Sequence, residues 1–429
     1  MKETSIPPKA LKVLPVLVCR KEQIEDLGKS VEDFKRDFIT KVKVLKQISV
    51  NDEKDLPLFE TYRKNADVIL LYKPHLGLGD CVIKIAESDL PIILFHEELQ
   101  VMGSLDALEY IHPRKNVWVA VDYQSIDFRV KLLGAKKGIE NTKILVLNSD
   151  YPHWKRWLCR ISGGLESIEG KFGIGVEYVN SGDVVKRWEN VEERRAEKVA
   201  EEWMEDAEKI IEPRENDVRA VARLYLAMKD LLQERGAEAI TMAYGDDPLP
   251  VPCFAYANLR DEGKPAACEA DIISLVSMVI SHYLTDKPSF MGNTFIDLND
   301  NALILSHCVA PRKMQGYDKS PAPYVLRSQH WGQFVGSLSA FVRMDAGQEV
   351  TVCRLTGDLD SMLVTRGEII DCRDLEGFCR VTVKIRVDAP IRKFIGKTSG
   401  NHHVMVYGDY REELRELNTL FGIATVEVS

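Results

Sequence analysis

The chain has 429 residues, a net charge of −9 at pH 7, 45% hydrophobic residues and 29% charged residues. This length exceeds what one hydrophobic core serves and predicts two or three domains. The acidic balance argues against a sequence-independent nucleic-acid binder, and no apolar run reaches the roughly 18 residues that a membrane span needs. The chain shows no signal-peptide pattern, and its nine cysteines form no CxxC pair. We therefore expect a cytoplasmic protein with reduced, mostly buried thiols.

Residues 1–140 alternate short apolar runs with helical patterns such as 22–38, which predicts a doubly wound parallel sheet. The apolar runs are nearly continuous, as is typical of strands covered on both faces. We interpret five segments as strands: 12–18, 42–48, 67–72, 91–95 and 117–121. Sheets of this kind bind ligands beyond the carboxyl ends of their strands. His96, directly after the fourth strand, is therefore a candidate substrate-binding residue, with a solvated loop as the alternative.

Residues 141–286 predict a second domain of the same Rossmann or flavodoxin-like type, in which Pro213 separates two long charged helices. From residue 287 the sequence pattern changes: predicted strands follow one another closely, and a helical pattern returns only at 410–422. We expect residues 287–429 to form an antiparallel, β-rich, barrel-like C-terminal domain.

The segment GKPAACEADI, residues 263–272, places Glu269 and Asp271 in front of an apolar run. Acids in the first turn of a helix complement the helix dipole, and that is the simplest explanation for both. The run is apolar on nearly all sides, however, so it predicts a buried helix. A carboxylate buried beside it needs a cation, a metal or a shifted pKa.

A second cluster, residues 290–308, predicts a β-hairpin whose turn is LNDN. If Asp297 pairs with Ala302, Asn293 lies opposite Ser306 and one step from His307. A third cluster, GNHHVMVYGD at 400–409, contains two adjacent histidines, of which a strand can direct only one to a given face. One imidazole, one carboxylate and one further oxygen suit a hard divalent metal such as Mn²⁺.

Two further residues are weaker candidates for a sugar pocket. Trp331, in RSQHWGQF, offers an aromatic face beside polar side chains, and Arg354 lies in TVCRLTGD. The alternative for the tryptophan is a core residue whose N–H is satisfied, and that is the commoner case.

Four segments together resemble the L-fucose isomerase family, particularly its shorter and less characterised members: CFAYANLRDEGKPAACEADI, KPSFMGN, SHCVAP and GNHHVMVYGD. The likeness is strongest over residues 250–429. The order of two α/β domains and a β-rich domain is also similar.

The resemblance implies an aldose–ketose isomerase of the L-fucose/L-arabinose type, which uses Mn²⁺ or another divalent metal and passes through an ene-diol. It implies Glu269 as metal ligand and proton-transfer residue, and His402 as a second ligand. The position of the family's aspartate ligand falls on Asn293, which can bind a cation through its carbonyl oxygen but cannot act as a base. His307 is then a candidate acid or base, since its ordinary pKa suits the task.

By resemblance we also expect a homo-oligomer, trimeric or hexameric, that acts on a small sugar, with no nucleic-acid or membrane partner. Two other functions remain open from the sequence. One is a metal-dependent sugar lyase or epimerase on the same scaffold, and the other is a non-catalytic carbohydrate-binding protein.

Overall fold

A computed structural model describes residues 10–19, 42–73, 79–95, 116–148, 161–242, 248–329, 337–398 and 400–428. The chain divides into two compact units, whose described residues lie within 10–138 and 139–428. The predicted boundary between residues 286 and 287 falls inside the second unit and stays a prediction.

The first unit is built on a parallel sheet. Its described elements are β1 (Leu11–Val18), β2 (Val42–Val44), β3 (Ile48–Val50), a 3-10 turn (Glu53–Asp55), α1 (Leu56–Arg63), β4 (Val68–Tyr72), α2 (Gly79–Ala86), β5 (Ile92–Phe95), β6 (Val117–Ala120) and α3 (Tyr123–Glu140). The strands pair in the order β2-β1-β4-β5-β6, β3 also pairs with β1, and every pair is parallel. Strands β4 and β5 are buried along their whole length, as their continuous apolar sequences predict.

The five predicted strands of this unit are therefore confirmed, with the segment 42–48 resolved into β2 and the start of β3. The helical pattern at 22–38 and the candidate residue His96 lie outside the described residues.

A second parallel sheet opens the larger unit. Its strands pair in the order β11-β10-β7-β8, again all parallel. The two helices predicted on either side of Pro213 are confirmed. The elements up to residue 285 are β7 (Lys143–Asn148), α4 (Glu166–Phe172), β8 (Gly175–Asn180), α5 (Ser181–Asn190), α6 (Glu193–Asp206), β9 (Lys209–Ile210), α7 (Glu215–Arg235), β10 (Ala239–Met242), α8 (Cys253–Asp261), β11 (Ala266–Ala267) and α9 (Ile272–Thr285).

The C-terminal part of this unit contains a closed antiparallel barrel of six strands. The remaining elements are β12 (Phe290–Asp297), β13 (Ala302–His307), β14 (Tyr324–Ser328), β15 (Leu338–Val342), β16 (Glu349–Leu355), β17 (Ser361–Arg373), β18 (Val381–Val387), α10 (Ile391–Ile395), β19 (His402–Tyr407), α11 (Arg411–Leu420) and β20 (Ala424–Glu427). The barrel runs β16-β19-β12-β13-β18-β17 and closes by pairing β17 with β16. The predicted fold class, two parallel α/β sheets followed by a barrel-like β domain, is confirmed.

The predicted hairpin is confirmed down to its register. Asn293 pairs with Ser306 and Asp297 with Ala302, as the alternation of the two strands and the LNDN turn require. Pairings between strands far apart in the sequence were not predicted, among them β14 with β9 and the parallel addition of β20 to β17.

Helix α9 is buried except at His282 and Tyr283, as its apolar sequence predicts. Its polar side chains are satisfied locally, because the hydroxyls of Ser277, Ser281 and Thr285 donate to carbonyls four residues earlier. None of the described helices is long and apolar enough to cross a bilayer.

Gly292 sits on β12 where this strand passes very close to β13. A Cβ at this position would lie 2.9 Å from the Cβ of Leu305 and 3.0 Å from the backbone nitrogen of Ser306. Gly292 therefore sets the spacing of the two strands that carry Asn293 and His307.

We predict that Gly292→Ala lowers the free energy of unfolding by about 1–3 kcal/mol, because overpacked strands must shift apart. Urea unfolding followed by circular dichroism measures this change. Gly396→Ala is the matched control, since its φ is −75° and no heavy atom lies within 4 Å of the added Cβ. Equal stability of the two variants would contradict the close approach.

Candidate functional site

Glu269 lies in the short connection between β11 and α9, and its backbone is left-handed. Its φ is +60° and that of Ala270 is +52°, a conformation that costs a non-glycine residue about 1–3 kcal/mol. The turn is held by the N–H of Ala270, which donates to the carbonyl of Met242 at 3.0 Å, and by that of Asp271, which donates to Cys268 at 3.2 Å. Strain retained at two consecutive residues is typical of functional positions.

The strand β19 brings His402 to the same place. In the barrel β19 pairs with β12, so that His402 lies opposite Asn293 and His403 opposite Gly292. The two histidines point to opposite faces, as the sequence predicts. His403 contacts the hydroxyls of Thr294 and Thr398 at 2.7 and 2.9 Å, away from Glu269.

Asp271 is the buried partner of His402. The Nδ1 of His402 lies 2.9 Å from the carboxylate of Asp271, which also accepts from the N–H and the hydroxyl of Ser274 at 3.0 and 2.9 Å. Arg354 donates to the same carboxylate at 3.3 Å. Burial alone raises the pKa of Asp271, but the charge of Arg354 and the hydrogen bonds from His402 and Ser274 lower it well below its usual range. Asp271 is therefore ionised at neutral pH.

Glu269, His307 and His402 converge on one point. The Nε2 of His307 lies 3.7 Å from Oε1 of Glu269, and the Nε2 of His402 lies 3.5 Å from Oε2. One donor atom from each residue falls within 4.8 Å of the others, so these three residues can hold a metal ion. Two imidazoles and one carboxylate form a ligand set that leaves open positions on a divalent ion.

The hydrogen bonds give the two imidazoles different tautomers. An ionised Asp271 can only accept, so Nδ1 of His402 carries a proton, and when this imidazole is neutral its Nε2 directs a lone pair towards Glu269. The Nδ1 of His307 accepts from the backbone N–H of Cys308 at 3.0 Å. When neutral, His307 therefore carries its proton on Nε2 in this arrangement.

Glu269 and His307 line a cavity of about 260 Å³, and His402 contacts Glu269 without lining it. Glu269 is 20% exposed, whereas His307 and His402 are buried beneath it. The residues that line the cavity are Cys253, Cys268, Glu269, Asn293, Phe295, Ser306, His307, Cys308, Gln329, Gly377, Phe378 and Cys379.

Only some of the predicted site residues lie at this cavity. Asn293 lines it, and its Oδ1 accepts a hydrogen bond from the side chain of Asn401. Arg354 is not among the described lining residues: it lies buried behind His402, where it also donates to Ser274 and to the carbonyl of His402. A Cβ on Gly400 would overlap the Arg354 guanidinium, so this glycine is needed for the close approach. Trp331 lies outside the described residues.

Two aromatic residues of the cavity were missed by the sequence analysis. Phe295 and Phe378 are 46% and 45% exposed, and their rings meet edge to face with centroids 6.2 Å apart. Phe295 follows Asn293 by two residues on β12 and so shares its face, which is the one signal that could have identified it. Phe378 comes from the loop between β17 and β18 and has no such signal.

Comparison with known proteins gives two results. A family model described as the L-arabinose isomerase central domain matches residues 162–280. The sulfoquinovose isomerase of Alkalicoccus urumqiensis is 27% identical over 276 residues, 60% of this chain and 59% of that protein. Those of Clostridium sp. (strain MSTE9) and Priestia aryabhattai are 26% and 25% identical over 266 and 241 residues, covering 57% and 52% of this chain and 56% and 53% of those proteins.

The chain thus matches between half and two thirds of the length of these relatives. The matches indicate the superfamily of L-arabinose and L-fucose isomerases, and they do not single out L-fucose isomerase, which the sequence motifs resemble. The expectation of an intramolecular oxidoreductase acting on a sugar agrees with the names of these relatives.

We predict that Asp271→Asn weakens Mn²⁺ binding about 10–100-fold, because His402 loses the carboxylate that fixes its tautomer. Isothermal titration of the folded variant with Mn²⁺ measures this effect. Asp261→Asn is the control, since Asp261 is also buried but accepts from the backbone of Arg312 and Lys313. It should lose stability without losing metal affinity. A Kd for Asp271→Asn equal to that of the wild type would refute the positioning role.

Proposed function

We propose that this chain is a divalent-metal-dependent aldose–ketose isomerase that acts through an ene-diol intermediate. The observation that carries the proposal is the convergence of Glu269, His307 and His402 beside a cavity that the first two of them line. The names of the relatives and the motifs that resemble L-fucose isomerase support the same reaction.

The donor set fits a hard or borderline divalent ion, and we propose Mn²⁺. Glu269 supplies a carboxylate oxygen and His402 a lone pair on Nε2. For His307 to join them, its proton must move to Nδ1 and the bond from the N–H of Cys308 is lost. That bond contributes about 0.5–1.5 kcal/mol, and a bond from Nε2 to the ion would replace it. We therefore propose His307 as the third ligand, in addition to its predicted role as an acid or base.

A bound divalent ion supplies Lewis-acid polarisation of the sugar's carbonyl and hydroxyl oxygens. Glu269 is the carboxylate of this group that reaches the cavity, so we assign it the transfer of the proton between C2 and C1. Asn293 cannot share that work, because an amide is not a base. Its carbonyl oxygen is placed to orient a sugar hydroxyl or to act as the weaker ligand predicted from the sequence. Phe295 and Phe378 offer an apolar wall for the sugar ring.

We propose a sugar as the substrate, and the relatives suggest sulfoquinovose, a sulfonated hexose, as one candidate. None of the described residues that line the cavity is Lys or Arg, so the sulfonate has no cationic partner among them. Neutral L-aldoses of the fucose and arabinose type therefore stand beside it as candidates. As the resemblance implies, we also propose a homo-oligomer, trimeric or hexameric.

We predict that the Mn²⁺-loaded protein, incubated in D₂O with these sugars, introduces deuterium at C1 or C2 of at least one of them. Nuclear magnetic resonance of the sugar measures the exchange, which detects an ene-diol even when conversion stalls. Glu269→Gln should abolish exchange while sugar binding persists, and Glu368→Gln, an exposed acid on β17, should leave it unchanged. Metal-loaded wild-type protein that exchanges no sugar would count against the isomerase and favour a lyase or a binding protein.

We predict that His307→Gln weakens Mn²⁺ binding at least ten-fold, since one of three proposed ligands is replaced by a poorer donor. The loss of Mn²⁺-induced thermal stabilisation gives a second readout that does not require activity. An unchanged Kd together with lost deuterium exchange would show that His307 moves protons without binding the ion.

A further inference from the structure

Four cysteines converge on the cavity beside the proposed metal ligands. Cys253 begins α8, Cys268 follows β11, Cys308 follows β13 and Cys379 precedes β18. The thiol of Cys253 is in hydrogen-bonding contact with those of Cys268 and Cys308, and the thiol of Cys379 with that of Cys308. All eight cysteines in the described part of the chain are thiols rather than disulfides. The proposed isomerase reaction gives these four no role.

The four cysteines differ in how far they are exposed to solvent. Cys253, Cys268 and Cys308 are buried, whereas Cys379 is half-buried and lies in the loop that also carries Phe378. A small ion that enters the cavity therefore meets Cys379 first and Cys308 next to it. Cys253 and Cys308 are the inner members of the group, because each contacts two other thiols, and Cys308 is the one that contacts Cys379.

Four thiols that line one cavity can share a soft cation, because thiolate sulfur is the ligand type that such ions prefer. A bound cation supplies the opposite charge and releases the protons, because a coordinating thiol ionises.

The arrangement selects the type of cation. Among the described residues, Glu269, His307 and His402 form a group of three donor atoms within 4.8 Å of one another. No three sulfurs of the described cysteines form such a group. The thiols thus lie in a row of contacting pairs, and a tetrahedral zinc site needs four ligands around one point. A soft monovalent ion such as Cu(I) is selected by thiolates and is satisfied by two of them.

We propose that Cys308 and Cys379 form a binding site for a soft monovalent cation of the Cu(I) type, with Cys253 as an adjoining thiol. Binding forms two Cu–S bonds and breaks two S–H bonds, and both protons pass to solvent, so no electron is transferred. The site lies next to Glu269 and His307 in the same cavity. If the proposed isomerase activity holds, its occupation should inhibit that activity, but the binding itself does not depend on it.

The test is a competition for Cu(I), without oxygen, against bathocuproine disulfonate, whose Cu(I) complex is coloured. We expect wild-type protein to withdraw about one equivalent, because only paired thiolates compete with a strong chelator. Cys379→Ser and Cys308→Ser should each abolish this uptake. Cys372→Ser is the matched control: Cys372 is half-buried like Cys379, but its sulfur bonds to Met344 and Val342 and does not line the cavity.

Far-UV circular dichroism shows whether each variant is folded, and neither Mn²⁺ nor sugar is needed, so the outcome is separate from that of the isomerase test. Wild-type protein that withdraws no Cu(I) would overturn the proposal. So would a folded Cys379→Ser variant that withdraws as much Cu(I) as the wild type.

Discussion

The site depends on one buried charge, the carboxylate of Asp271. It caps helix α9 through Ser274, holds the imidazole of His402 on β19 and pairs with Arg354 on β16. A single ionised group thereby ties the second parallel sheet and its helix to two strands of the barrel. Removing one partner from such a buried group is costly, about 3–5 kcal/mol, because the remaining charge stays uncompensated.

The buried carboxylate of Asp271 has a chemical consequence as well as a structural one. An ionised Asp271 accepts only, so it holds the proton of His402 on Nδ1, and the neutral imidazole then presents a free Nε2 lone pair towards Glu269. Glu269 reaches that point because two residues hold a strained left-handed turn. Gly292 and Gly400 help to form the site because they lack a side chain. At Gly292 the strand β13 comes closer than a Cβ would permit, and at Gly400 the guanidinium of Arg354 does. The arrangement is thus fixed by packing at every member, which a catalytic or metal site requires.

Local pattern accounts for what the sequence could predict. The strand period and the LNDN turn set the hairpin register, and the same period separates His402 from His403. The apolar run after Asp271 predicts the buried helix correctly. The meeting of Glu269 with His307 and His402 depends on barrel closure between residues more than 30 apart, which no local pattern encodes. For the same reason Asp271 was predicted to complement the helix dipole and not to hold His402.

Arg354 shows most clearly which contacts the local sequence pattern cannot predict. It was a candidate for the sugar pocket, and the structure pairs its buried guanidinium with Asp271. Contact with a substrate stays a prediction. The row of thiols was likewise hidden, since four cysteines without a CxxC pair carry no spacing signal. His96 and Trp331, outside the described residues, stay predictions.

The central claim is that Glu269, His307 and His402 bind one divalent ion. The most direct measurement is anomalous diffraction at the manganese edge from crystals grown with Mn²⁺. The account predicts one strong peak within bonding distance of a carboxylate oxygen of Glu269 and of Nε2 of both histidines, with Asp271 still bonded to His402. A peak bound by other residues, or no peak at full Mn²⁺ occupancy in solution, would contradict it.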